Sequence, residues 1–467
     1  MKRKLRIISF LLSVATVFCL SFAGCDKPDN GDSGDNGGIS EVTLESIQAK
    51  YDASLYQYSG KPVTVRLATW DSAGYNIERA VMETVVKAFN NRYPTIKIEY
   101  DIMSNYETNY AGNIATGDLH DVFVVTDGVF GNWVTGGKME NLEPYIASSD
   151  LIVREEMHPS VVDRYSYNPT TGKTGSGNQY TLARDISSFV MYYNKDYFDA
   201  KGVAYPPSDR IMTIDEATEM WKALTTYDDN GEISVYGSSA LDICGLVWSA
   251  GGDFLNEEKT AFPTEEKDLK ALKKAYQFVQ DSYYKDKICP TVALDAATMF
   301  NMQKVATCIA GSWNVSTFRS LDFNWDIAYI PAFEENPQAN CWSGSAGLSV
   351  YTGSKCKEAS WKFVEYIASK EGQEILMSTG TQIPIYENVG KDIVERESKL
   401  GPANYEILIK SAKTQKAGRW TYLKNQQWYS LGYDLYSGNL LDSNADERWT
   451  TDRFLEKCKE IVNQYVG

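Results

Sequence analysis

The chain has 467 residues, 43% of them hydrophobic, and carries 62 Asp and Glu against 46 Lys and Arg, a net charge of −16. That acidic balance argues against nucleic acid and anionic membrane surfaces as partners. The length is enough for two domains of ordinary size.

The first residues read "MKRKLRIISFLLSVATVFCLSFAGC". Lys2, Arg3, Lys4 and Arg6 precede the apolar stretch Ile7 to Phe18, which is shorter than a membrane span and is closed by small residues, as in a signal peptide. Phe22-Ala23-Gly24-Cys25 resembles a bacterial lipobox, with Phe22 where leucine is usual, which makes Cys25 the lipidated mature N-terminus. Asp26 to Gly38 is rich in Gly, Asp and Asn. As a coil it reaches about 20 Å and serves as a tether. From Ser40 to Tyr58 the spacing of Leu44, Ile47, Tyr51 and Leu55 predicts a short amphipathic helix.

"PVTVRLATW" predicts a buried strand. Ile77, Val81, Val85, Ala88 and Phe89 then recur at helical spacing until Pro94. "IKIEYDIM", "NYETNYAGNIATGD" and "DVFVVTD" follow as strand, helix and strand, the order of a parallel α/β sheet. Ligands of such sheets lie beyond the carboxyl ends of the strands, where Trp70, Asp71 and Asp127 fall. A second α/β unit begins with "SSFVMYYNKDYFDAKGV", a strand running into a helix. Thr213 and Glu216 form a Thr-x-x-Glu capping box, "DLKALKKAYQFVQDSYY" is an amphipathic helix, and "WDIAYIPAF" reads as a strand leaving this lobe. "SAGLSVYTGS" and "EASWKFVEYIASKEGQEILMS" add a strand and a helix.

Signs of catalysis are weak. Neither His120 nor His158 has the spacing of a zinc site or a hydrolase elbow. "TGKTGSGN" lacks the first glycine of a phosphate-binding loop and reads as a glycine-rich loop, and "DDNGEISVYG" reads as a tight turn. No carboxylate pair is singled out for glycoside hydrolysis. Cys244, Cys289, Cys308, Cys341, Cys356 and Cys458 show no CxxC spacing, and the sequence selects no disulfide pairing among them. What stands out is the aromatic content, 31 Tyr, 17 Phe and 11 Trp. Sugar rings offer apolar faces and a hydroxyl rim, so their sites combine aromatic platforms with carboxylates, amides and arginines. Tryptophans in polar junctions fit that role, as in "TWDSAG", "GLVWSAGG", "GSWN", "CWSGS" and "QQWYS"; Trp221 and Trp361 sit inside amphipathic helices and read as packing.

From about Val63 onward the chain resembles the extracellular solute-binding proteins of ABC sugar importers, the family that includes maltose-binding protein. The resemblance is carried by "RLATW", "AFNNRYPTIKIEY", "IATGDLHDVFVVTDG" (His120 where proline is usual), "GGKMENLEPYI", "MYYNKDYFDAKGV", "MFNMQKVATCIAGSWN", "WDIAYIP" and "SAGLSVYTGSKCKEASWKFVEYIASKEGQE", in that order. It implies a two-lobed, type II periplasmic-binding-protein-like fold, with two α/β domains joined by hinge strands and the ligand cleft between them. The expected division is a signal peptide over 1–24 and a lipidated cysteine and tether over 25–45. An N-terminal lobe of 46–187 plus 334–385 and a C-terminal lobe of 188–333 plus 386–467 complete it.

Carried over residue by residue, the resemblance implies ligand contacts at Trp70, Asp71, Asp127, Arg184, Asp185, Trp313 and Trp428; Asp242 and Trp248, in the variable cleft segment, and Trp342, near the second crossing, are further candidate contacts in a segment without a matching motif. Of these, Asp127 is expected to hydrogen-bond sugar hydroxyls, and Trp313 and Trp428 to stack on sugar rings. Arg184 and Asp185 stand in "LARD", which replaces the usual proline-containing hinge sequence, and Lys195 and Asp196 read as fold-determining. The expected function is that of a non-enzymatic, monomeric receptor. It is lipid-anchored outside the cell membrane, binds a carbohydrate, needs no cofactor or metal, and hands its ligand to membrane permease subunits. A glycan-cleaving lipoprotein, or a receptor for another solute such as a peptide, are the alternatives.

Overall fold

The computed structural model describes residues 41–465 except 72–73, 292–293, 335–336, 338, 381–382, 387 and 419–426; at 41–42, 392 and 427–430 only the backbone is described. Cys25 and the tether lie outside the described residues. The strands are β1 (Val63–Trp70), β2 (Ile96–Met103), β3 (Val122–Thr126), β4 (Ser166–Asn168), β5 (Lys173–Thr174), β6 (Asn178–Gln179), β7 (Leu182–Ala183), β8 (Phe189–Asn194), β9 (Thr226–Tyr227), β10 (Ile233–Ser238), β11 (Val305–Gly311), β12 (Trp325–Ala328), β13 (Cys341–Ser343), β14 (Ala346–Val350) and β15 (Gln415–Ala417).

Two five-stranded sheets organise the chain, in the orders β2-β1-β3-β14-β7 and β12-β8-β11-β10-β9. In the first, β1 runs parallel to β2 and β3, and β14 returns antiparallel between β3 and β7. Every residue of β3 is buried, because helices cover both faces of a parallel strand. In the second sheet β8 is antiparallel to both β11 and β12. The expected strand "WDIAYIPAF" is thus an edge of this sheet at β12 before the chain returns to the first. A parallel two-stranded ribbon, β13 with β15, lies where the chain passes between the sheets.

The helical pattern after β1 becomes the helix Tyr75–Arg92, with Val81, Val85, Ala88 and Phe89 fully covered. It ends at Tyr93, because Pro94 has no amide to continue the ladder. The capping box at Thr213 forms as read: its hydroxyl accepts from the Glu216 amide, and the Glu216 carboxylate accepts from the Thr213 amide at 2.9 Å.

Two expectations are corrected and one is extended. The amphipathic helix is only Glu41–Gln48, which buries Leu44 and Ile47; Leu55 sits 43% exposed in a separate single turn. "TGKTGSGN" is a glycine-rich loop whose Lys173–Thr174 and Asn178 also pair, as β5 and the start of β6, on either side of β4 in a small antiparallel sheet. The helix read across "EASWKFVEYIASKEGQEILMS" is two helices, Lys357–Ala368 and Lys370–Ser378, because Ser369 caps the second by accepting from the Gly372 amide. A Cβ at Gly372 would lie 2.0 Å from the Tyr366 carbonyl oxygen, so the bend requires glycine there.

Candidate functional site

The carboxyl ends of β1 and β3, together with the segment after β7, build a polar layer. Trp70 ends β1 half-buried, and the Asp71 carboxylate accepts from the Ser104 hydroxyl at 2.7 Å. Beside them Thr69 donates to Glu78, and Arg184 grips the same carboxylate with both terminal nitrogens, at 3.0 and 3.2 Å. Asp185 lies 3.8 Å from the Arg184 Nε and accepts from the Ala346 amide at 3.0 Å. Arg184 and Asp185 are both nearly covered. Their bonding capacity is turned into the lobe, where they pin the chain that leaves β7 against β14.

Asp127 opens the helix Asp127–Val134 directly after β3. Its carboxylate pairs at 3.0 Å with Arg164, the last residue of the short helix Pro159–Arg164. Arg164 has no exposed side-chain surface, and it also donates to the carbonyl and hydroxyl oxygens of Ser343 at 2.9 and 3.0 Å. Burial pushes the Asp127 carboxyl up to about 6; Arg164 opposes the shift, and Glu107 and Asp185 reinforce it. Asp185 is likewise raised to about 6 by burial, against the pull of Arg184. Both carboxylates are therefore predominantly ionised at neutral pH yet close enough to titration to respond to it.

Ser343 is the last residue of β13, and its neighbour Trp342 starts an aromatic row in the second lobe. Trp342 packs on Phe189 with ring centroids 4.4 Å apart, and Phe189 meets Trp313 edge to face at 5.2 Å. Trp313 is 39% exposed and follows the end of β11. In the other direction Lys416 stands opposite Trp342 in the β13–β15 register, with its ammonium 5.5 Å from the Trp248 ring centroid. Trp248 is itself buried, and its indole N–H donates to Asp253 at 3.2 Å. One row thus holds Trp313, Phe189, Trp342, Lys416 and Trp248, and it meets the polar layer at Ser343.

Asp242 does not join this row. Its carboxylate caps the helix Ile243–Ser249, accepting from the Gly245 amide at 2.6 Å, and it lines a water-sized interior cavity with Trp221 and Asn340. Trp428 falls in the helix Gln427–Leu435, and its side chain lies outside the described residues. Trp221 and Trp361 are core residues, as read. Lys195 lies over the Tyr205 ring and Asp196 accepts from Asn324, so both serve the fold.

Arg164, Glu78 and Phe189 escaped the sequence reading. An arginine in "VVDRY" looks solvated until the fold buries it, and Phe189 looks like any strand residue. The only signal for Glu78 was an acid in the first turn of a helix beginning at the cleft end of β1.

A family model of bacterial extracellular solute-binding proteins matches residues 84–401. The chain belongs to that family. This solute-binding protein is 22% identical over 372 residues to the arabinooligosaccharide-binding protein of Halalkalibacterium halodurans, an alignment covering 73% of this chain and 77% of that one. It is 24% identical over 317 residues to the maltooligosaccharide ABC transporter solute-binding lipoprotein of Streptococcus pneumoniae, covering 62% and 68%. Among solved structures, the ABC substrate-binding protein Lmo0181 of Listeria monocytogenes, in complex with cycloalternan, superposes with a TM-score of 0.69 at 20% identity. That superposition covers 86% of this chain and 98% of that one. The two-lobed α/β architecture is therefore that of the periplasmic-binding-protein fold. Among the described residues no helix is long and apolar enough to cross a membrane, and no cluster of three or more acids, histidines or cysteines is placed to hold a metal ion.

Proposed function

We propose that this solute-binding protein is the carbohydrate receptor of an ABC importer, taking an oligosaccharide into the cleft between its lobes and presenting it to membrane permease subunits. The observation that carries the reading is the junction at β13, where a row of aromatic rings from one lobe meets a layer of carboxylates and arginines from the other. Rings suit the apolar faces of a sugar, and polar groups at their margin suit its hydroxyls. Trp313, with its exposed face, is the first stacking platform, and Trp342 the second. Trp70, Asp71 and the accessible edge of Asp127 offer hydrogen bonds from the opposite wall. Arg184 and Asp185 hold the hinge, and Trp248 backs the row from beneath Lys416. Trp428 is assigned to the same wall by resemblance alone.

Ligand bridging the two walls favours the closed arrangement, because only there are both sets of contacts made. The protein binds and releases its ligand without cleaving it and acts as a monomer. Two acyl chains on Cys25 would exceed the marginal hold of one, and the acidic tether would keep the receptor concentrated near its permease. Related proteins described as oligosaccharide-binding, one of them a lipoprotein, support this reading.

Calorimetry against a saccharide panel, followed by chromatography of the recovered ligand, tests it. Stoichiometric binding with intact sugar is expected. Trp313→Ala should weaken binding by about tenfold, the loss of roughly 1.4 kcal/mol of stacking, with an unchanged melting temperature. Cleavage products, or affinity unchanged in Trp313→Ala, would sink the proposal. Detergent-phase partitioning of the full chain against Cys25→Ala tests the anchor.

A further inference from the structure

Beyond Trp248 the second lobe holds a recess of about 730 Å³, within the roughly 300–1,000 Å³ typical of ligand pockets. Its walls are Gly251–Asp253, the turn around Asn256–Lys259, the segment Pro263–Asp268 and Lys416. These walls are fixed. The Asn256 side chain accepts the amides of Thr260 and Ala261 at 2.8 and 3.0 Å, closing the turn. The Asp253 amide donates to Asp268 on the helix Glu266–Tyr284, and the Phe262 amide donates to Asn463 on the C-terminal helix Thr451–Tyr465. Gly252 lies so close to that first helix that a Cβ would come within 2.5 Å of Ala271.

Two further observations point to a ligand. Lys416 belongs both to the recess and to the aromatic row, so a chain lying along Trp313, Phe189 and Trp342 that continues past Lys416 runs into the recess. The side chains of Glu257, Glu265 and Lys267 at its rim make no hydrogen bond or ion pair among the described residues, although the Glu265 carbonyl accepts from the amides of Asp268 and Leu269. Carboxylates outnumber ammonium groups in the lining by five to three. That mixture accepts and donates hydrogen bonds, as hydroxyl-rich ligands require, and its net negative charge repels anions.

We propose that this recess is an outer subsite for the continuing end of an uncharged, hydroxyl-rich saccharide chain whose first rings stack on the aromatic row. The proposal rests on the carbohydrate reading above and deepens it: the preferred ligand is a neutral oligosaccharide long enough to pass Lys416, and acidic saccharides are rejected.

The test uses the full chain and a ladder of neutral gluco- and arabino-oligosaccharides, from single sugars to heptasaccharides, with an oligogalacturonide as the anionic probe. Thr264→Trp fills the recess. The double variant Glu257→Ala/Lys267→Ala removes rim groups that are exposed and keeps the test alive if the tryptophan disturbs the loop. Wild-type affinity should keep rising with chain length, and each variant should bind the long chains about tenfold more weakly with short-chain affinity unchanged. Equal losses for short and long chains, no loss in either variant, a wild type that gains nothing beyond a disaccharide, or tighter binding of the oligogalacturonide would each overturn the outer subsite alone. A wild type that binds no saccharide would overturn the carbohydrate reading and the subsite with it.

Discussion

Replacing Arg164 by methionine keeps an unbranched side chain of similar length and removes the only cation hydrogen-bonded to Asp127 among the described residues. Four hydrogen bonds disappear: those from Nε to Ser160, from Nη1 to Asp127 and the Ser343 carbonyl, and from Nη2 to the Ser343 hydroxyl. Breaking a buried ion pair by deleting one partner typically costs about 3–5 kcal/mol, and that loss is expected at pH 8. Much of it should be linked to protons. In the wild type Asp127 titrates near 6 even with the guanidinium present; without it the carboxyl stays protonated to higher pH. As pH rises above 6 the wild-type carboxyl loses its proton while the folded variant retains more of it than either its unfolded chain or the folded wild type. Its stability relative to wild type therefore falls as pH rises through that window, by at most about 1.4 kcal/mol per pH unit. Below about pH 5.5 Asp127 is largely protonated in both proteins, and only the lost bonds to Ser343 and Ser160 remain, roughly 1–2 kcal/mol. Urea denaturation of both proteins at pH 5.5, 7 and 8 reads the difference directly. A destabilisation that is equal at pH 5.5 and pH 8 would refute the assignment of Arg164 as the partner of a buried, ionised Asp127.

Asp127 and Asp185 both titrate near 6 in the fold and near 3.8 when unfolded. The folded chain therefore binds protons more tightly, and these two groups reduce stability progressively as pH rises from about 4 to 6. In Asp127→Asn the stability difference between pH 5 and pH 7.5 should shrink measurably; an unchanged difference in denaturation midpoints counts against the raised carboxyl. Gly245→Ala would place a Cβ 2.0 Å from the Asn340 carbonyl oxygen, forcing the helix Ile243–Ser249 off β13. A loss of about 1–3 kcal/mol is expected in chemical denaturation, together with a change in fluorescence from the displaced Trp248. Thr213→Ala removes one half of the capping box and should lower stability by about 1 kcal/mol while leaving saccharide affinity at the wild-type value.

Local chemistry determined a good part of this protein. The period of apolar residues, Pro94 after a helix and Thr-x-x-Glu before one placed most of the strands and helices, since each acts over a few residues, but the same period overran the first helix and missed the break at Ser369. The ordered motifs from Val63 onward carried the family, and with it two lobes and a cleft. The carboxyl ends of β1 and β3 could be picked out as the side of the sheet where ligand contacts belong, because that rule depends only on strand direction.

What the sequence could not settle was which way a side chain turns once the chain has folded. Asp242 and Asp127 are both acids at junctions, yet one caps its own helix and the other meets an arginine 37 residues away. Arg164 lies buried because helix Pro159–Arg164 happens to pack beside β15 and Ser343, a neighbourhood assembled from segments some 180 and 250 positions later. The aromatic row is likewise a product of register: Trp342 faces Lys416 because β13 and β15 pair in parallel, and Phe189 meets Trp313 because β8 and β11 pair antiparallel at their ends. Contacts between residues distant in the chain depend on the packing of whole elements, and no spacing rule within one segment encodes them.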